Sequence, residues 1–108
     1  MKMVIAVIHD EDAHELMESL TKSDFGVTKL ASTGGFLKSG NTTLFVGVEK
    51  EKVQEVLDII TEKCKCRKEI TTTSSIMGDA GGYVTLPIEI SVGGATVFVL
   101  DVEDYLKI

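Results

Sequence analysis

The sequence predicts an α+β fold of the ferredoxin-like type, one antiparallel sheet carrying two helices on a single face. Three observations predict it. Two β-α-β patterns follow one another, their helices repeat the same apolar spacing, and a hairpin-length link joins the second strand to the third. A doubly wound parallel sheet would need a crossover at that link. One further strand, hairpin-paired at the C-terminal end, extends the pattern to βαββαβ plus one.

Met3 to Ile8 is a continuous run rich in β-branched residues, the pattern of a central strand covered on both faces. A helix follows. Asp12, with Glu15 three residues on, reads as a variant capping box. Ala13, Leu16, Met17 and Leu20 then form one apolar stripe, with Glu11, Glu15, Glu18 and Lys22 on the wet side. A second strand is expected from Phe25 to Ala31, a glycine-rich loop from Ser32 to Asn41, and a third strand from Thr42 to Val48. Val53, Val56, Leu57, Ile60 and Cys64 repeat the helical stripe. Lys65 to Gly82 shows no period and reads as a long loop. Leu86, Ile88, Ile90 and Val92 alternate with Pro87, Glu89 and Ser91, a half-buried strand whose proline belongs at an edge. Gly93-Gly94 is a hairpin-turn signal before the last strand, Ala95 to Leu100.

At 108 residues the chain is read as one domain, 1–108. Its net charge of −6 argues against non-specific nucleic-acid or anionic-membrane binding, which needs a basic surface. The first apolar run is too short for a signal-peptide core or a membrane span, and two cysteines are too few for a disulfide framework. A cytoplasmic location is the expectation.

Thr33-Gly34-Gly35-Phe36-Leu37 and Ser39-Gly40-Asn41 bring three glycines together between two strands. Glycine lets backbone N–H groups approach an anion, Phe36 offers a stacking face, and Asn41 offers an amide to a base edge or phosphate. The same residues also suit a plain loop with Phe36 folded onto the core. No Gly-Lys-Ser/Thr follows, so the segment is not a P-loop. His9, Asp10, Asp12 and His14 are crowded like metal ligands, but an acidic helix N-terminus accounts for the acids, and no metal is expected. Cys64 continues an apolar stripe, and Cys66 lacks partner ligands. Arg67 with Lys65 and Lys68 reads as a solvated charge cluster. No nucleophile–base pairing is suggested, and no enzymatic activity is expected.

The stretch KLASTGGFLKSGNTTLFVGV, with MKMVIAVIHDED before it and VGGATVFVL near the end, resembles the PII-like cyclic-di-AMP receptor family over nearly the whole chain. The resemblance implies a PII-like homotrimer with a cyclic dinucleotide in each inter-subunit cleft. It makes the glycine loop a short T-loop, about 32–41, and the segment about 65–82 a long B-loop. Matched position by position, Thr28, Gly35, Phe36, Leu37, Asn41, Gly47 and Phe98 are the implied ligand contacts. In that family an arginine usually stands two residues before the threonine of strand two; here the position is Gly26. Alternation puts Gly26 on the face of Thr28 and turns Lys29 away. The implied role is signalling: cyclic-di-AMP is the ligand, there is no cofactor, and an unidentified protein is the downstream partner. A PII-like sensor of another nucleotide and a ligand-free interaction trimer are the alternatives.

Overall fold

The computed structural model describes residues 1–30, 40–77 and 82–108. Along the chain run β1 (Lys2–His9), α1 (Asp10–Lys22), β2 (Val27–Leu30), β3 (Asn41–Val48), α2 (Val53–Cys64), β4 (Arg67–Met77), β5 (Gly82–Val92) and β6 (Ala95–Asp101). A 3-10 turn at Lys50–Lys52 leads into α2. β2, β3, β1 and β6 form one sheet in that order, each neighbour antiparallel, while β4 and β5 pair only with each other. This is the ferredoxin-like sandwich, with β6 as the fourth strand of the sheet.

β1 is paired along both edges, but only one of its faces lies under the helices, where its unbroken apolar run suggested cover on both. Alternation then sorts its side chains. Val4, Ala6 and Ile8 join Leu44, Val46 and Val48 of β3 on the helix-covered face. Ala13, Leu16 and Leu20 of α1 close over them together with Val56, Ile60 and Cys64 of α2, and all twelve are buried as one cluster. Both helical stripes therefore face the core as their 3.6-residue spacing predicts, with Met17, Val53 and Leu57 only partly buried at its margin. The opposite face carries no helix.

Five further expectations are corrected. The segment 65–82, expected as a loop, is for Arg67–Met77 a strand paired with β5. Its Thr/Ser-rich sequence is β-branched enough to pair but lacks an apolar alternation to reveal it. The additional hairpin is therefore β4–β5, inserted before the last strand rather than added after it. Gly93-Gly94 does not close a hairpin but turns the chain out of the ribbon into β6. Gly93 and Gly94 have φ of +83° and +88°, and a Cβ on Gly93 would stand 2.7 Å from both the Arg67 guanidinium and the Lys65 carbonyl. Finally, Asp12 is no cap: α1 starts directly at Asp10 with His9 extended before it, so Asp12 falls inside the first turn and is buried. β2 begins at Val27, two residues later than expected, so Gly26 stands just before it, and Ala31 lies outside the described residues.

Candidate functional site

The strand register places four of the implied contact residues, Thr28, Asn41, Gly47 and Phe98, on the helix-free face. Thr28 pairs with Phe45, Phe45 with Ile5, and Ile5 with Phe98, so one rung crosses all four strands. At about 4.8 Å per strand, Thr28 and Phe98 stand about 14 Å apart at opposite edges of the sheet. Gly47, opposite Met3, lies one pleat further along the same face. β6 presents its side of this face openly: Phe98 and Leu100 are 52% and 49% exposed. Lys29, opposite Leu44, belongs to the helix-covered side, as alternation requires. Gly35, Phe36 and Leu37 lie outside the described residues.

Gly26 and Gly47 share one cleft. Val27 pairs with Val46, so the next step of the register brings Gly26 beside Gly47. A cleft of about 360 Å³ opens there, walled by Met1, Phe25, Val48 and Lys52. A Cβ on Gly26 would meet nothing within 4 Å, so this end of the face is open for want of a side chain. At the other end of β3 stands Asn41, exposed and opposite His9. Its two chain neighbours are both tied to Asp10. The Asp10 N–H donates to the Gly40 carbonyl at 3.0 Å, and the buried Thr42 hydroxyl donates to the Asp10 carboxylate.

The charged groups near the start of α1 are accounted for by contacts that spacing alone did not signal. Arg67, expected in solvent, reaches across 55 residues to the buried Asp12, Nη2 to Oδ1 at 3.0 Å. It also donates from Nη1 to the Lys65 carbonyl at 3.2 Å and faces Glu69 at 3.5 Å. Hydrogen bonding to Asp12 raises the Arg67 pKa further above its ordinary value. The second Asp12 oxygen, Oδ2, is buried without a partner. Together these contacts fasten the base of the β4–β5 ribbon to α1. The sequence offered Asp12, between Glu11 and Ala13, only as a capping residue, and nothing local pointed to its pairing with Arg67. His14 is exposed and faces Glu18, while Asp10 is occupied by Thr42, so these side chains do not converge. Cys64 is buried, and burial pushes its thiol up to about 11, with the Asp12 charge a smaller contribution; Cys66 is exposed.

A ferredoxin-like sheet with one bare face and an inserted ribbon defines a class, the PII-like sandwiches. The chain is similar to Arabidopsis thaliana PII bound to citrate, at TM-score 0.64 and 21% identity over 99% of this chain and 79% of that one. It is also similar to a functionally unknown protein from Pediococcus pentosaceus ATCC 25745, at TM-score 0.76 and 41% identity, covering 99% and 96% of the two chains. The cyclic-di-AMP receptor family matches residues 1–108, and the chain belongs to that family. Among the described residues no helix is long and apolar enough to cross a membrane.

Proposed function

We propose that the chain is a non-enzymatic signalling protein that binds cyclic-di-AMP in the inter-subunit clefts of a homotrimer. One observation carries this reading: Thr28, Gly47 and Phe98 share the bare face of the sheet, with Thr28 and Phe98 at opposite edges of one rung. A contact pair about 14 Å apart in one chain is too wide for a single nucleobase, but an edge-to-edge neighbour brings one copy's Phe98 toward another's Thr28. The exposed apolar residues of β6 supply surface for that neighbour. In this reading Phe98 and Phe36 stack or pack, Thr28 and Asn41 hydrogen-bond, Leu37 adds apolar surface, and Gly35 and Gly47 admit close backbone approach. Ligand occupancy is read out through the segments around 32–41 and 65–82 by a protein partner.

Gly26 favours a second reading, in which another nucleotide is preferred. Without a guanidinium there, a charge-assisted phosphate bond is missing, a loss of about 1.5–3 kcal/mol or roughly ten- to hundredfold in affinity. Titration calorimetry against cyclic-di-AMP and ATP separates the two. Heat with cyclic-di-AMP supports the first reading, and heat with ATP alone supports the second. Silence with both removes the ligand and leaves an interaction trimer.

A further inference from the structure

Asn41 is held in place by a residue that is 31 positions earlier in the chain and takes no part in the proposed ligand contacts. Asp10 opens α1 with no loop between it and β1. Its backbone N–H binds the carbonyl of Gly40, and its side chain binds the hydroxyl of Thr42, so the residues on both sides of Asn41 are fixed to one point. The bracket is also tight: a Cβ on Gly40 would overlap the Asp10 carboxylate and have to push it aside. Thr42 is 2% exposed, which makes its hydroxyl dependent on this one acceptor, whereas Asn41 itself is turned to solvent.

We infer that Asp10 is the positioning residue of the proposed nucleotide site, setting the backbone of Asn41 at the entry to β3 so that its amide is aimed before ligand arrives. This rests on the reading given under Proposed function. A pre-aimed amide loses less freedom on binding, so the bracket contributes to affinity without touching ligand. The carboxylate acts as a hydrogen-bond acceptor here, not as a charge. A neutral amide in its place retains the acceptor oxygen and should preserve the effect.

The test combines Asp10→Ala, Asp10→Asn, Asn41→Ala and the double variant Asp10→Ala/Asn41→Ala, each checked for its melting temperature and titrated with cyclic-di-AMP. Asp10→Ala should weaken binding about tenfold, comparable to one lost hydrogen bond. Asp10→Asn should remain close to the native affinity. In the Asn41→Ala background the Asp10→Ala change should add little, because the two act through one contact. Amide hydrogen exchange at residues 40–43, read without ligand, should quicken in Asp10→Ala and stay slow in Asp10→Asn. Multiplying losses in the double variant would overturn the inference, as would tighter binding by both Asp10 variants, which would mark the carboxylate as a plain repulsive charge. Unchanged exchange in Asp10→Ala would overturn it without any titration. A native chain that binds no cyclic-di-AMP would instead refute the reading of the site, and the ligand-free exchange would still decide whether Asp10 holds the strand start.

Discussion

Gly26 stands where a side chain has room, since its Cβ would meet nothing within 4 Å, and it adjoins Gly47 in the same cleft. Arginine should therefore fit there without displacing its neighbours. Gly26→Arg is expected to tighten cyclic-di-AMP binding at least about tenfold, because a guanidinium pairs bidentately with a phosphate. Unchanged or weaker calorimetric affinity in a folded variant would mean that the phosphate lies elsewhere. Cys64 and Cys66, only two residues apart, should behave oppositely. An aromatic disulfide reagent should titrate one thiol in the native protein, the exposed Cys66, and both after denaturation. The buried thiol also gives the fold an alkaline limit. Its folded pKa is raised from 9.0 to about 11, so above pH 9 the unfolded chain loses a proton that the folded one keeps. Stability should fall across that window, by about 2–3 kcal/mol in all, in denaturant titrations at stepped pH. A flat profile between pH 9 and 11 would contradict the burial of this thiol.

At the scale of elements, the ribbon β4–β5 depends on its base. Arg67→Ala leaves the buried Asp12 carboxylate with neither oxygen paired, and should cost about 1–3 kcal/mol. Asp12→Leu added to Arg67→Ala should recover part of the lost melting temperature, since an apolar residue has no unmet demand at that site. No recovery would mean that the ion pair is not what the base relies on. α1 and α2 were legible from sequence because each buries one face against a common core, which writes a period into the chain, and β1 was legible from its unbroken β-branched run. Of the ribbon, β5 was legible through the alternation of Leu86, Ile88, Ile90 and Val92, but β4 was not, because Thr71 to Ser75 offer β-propensity without an apolar pattern. Gly93-Gly94 announced a turn correctly, but whether a turn joins strands of one sheet or of two is a non-local fact. The candidate site divides similarly. Thr28, Gly47 and Phe98 came from the family resemblance, and only the strand register sets them on one face. The bond from Arg67 to Asp12 links positions 55 apart and leaves no local trace.

The whole molecule is extended: its radius of gyration is 18.7 Å and it measures 67 × 25 × 21 Å. A compact domain of this length has a radius of gyration of about 13 Å. Such a shape exposes much apolar surface for its size, and the bare face with Phe98 and Leu100 gives a second copy somewhere to pack. Light scattering at micromolar concentration should return about three times the 11.7 kDa chain mass. A monomer there would eliminate any cleft between copies and the proposed ligand site with it. The ribbon adds a mechanical consequence. Its strands are 11 residues each, an arm of about 36 Å at roughly 3.3 Å per residue. The fulcrum is the cluster of Arg67, Asp12, Lys65 and Gly93 at its base. A tilt of about 5° at that fulcrum carries the far end of the paired strands through about 3 Å, the diameter of a water molecule, given the same arm length. Shifts at the base too small to disturb the sandwich core are thereby geared up into ångström-scale displacements at the ribbon's far end.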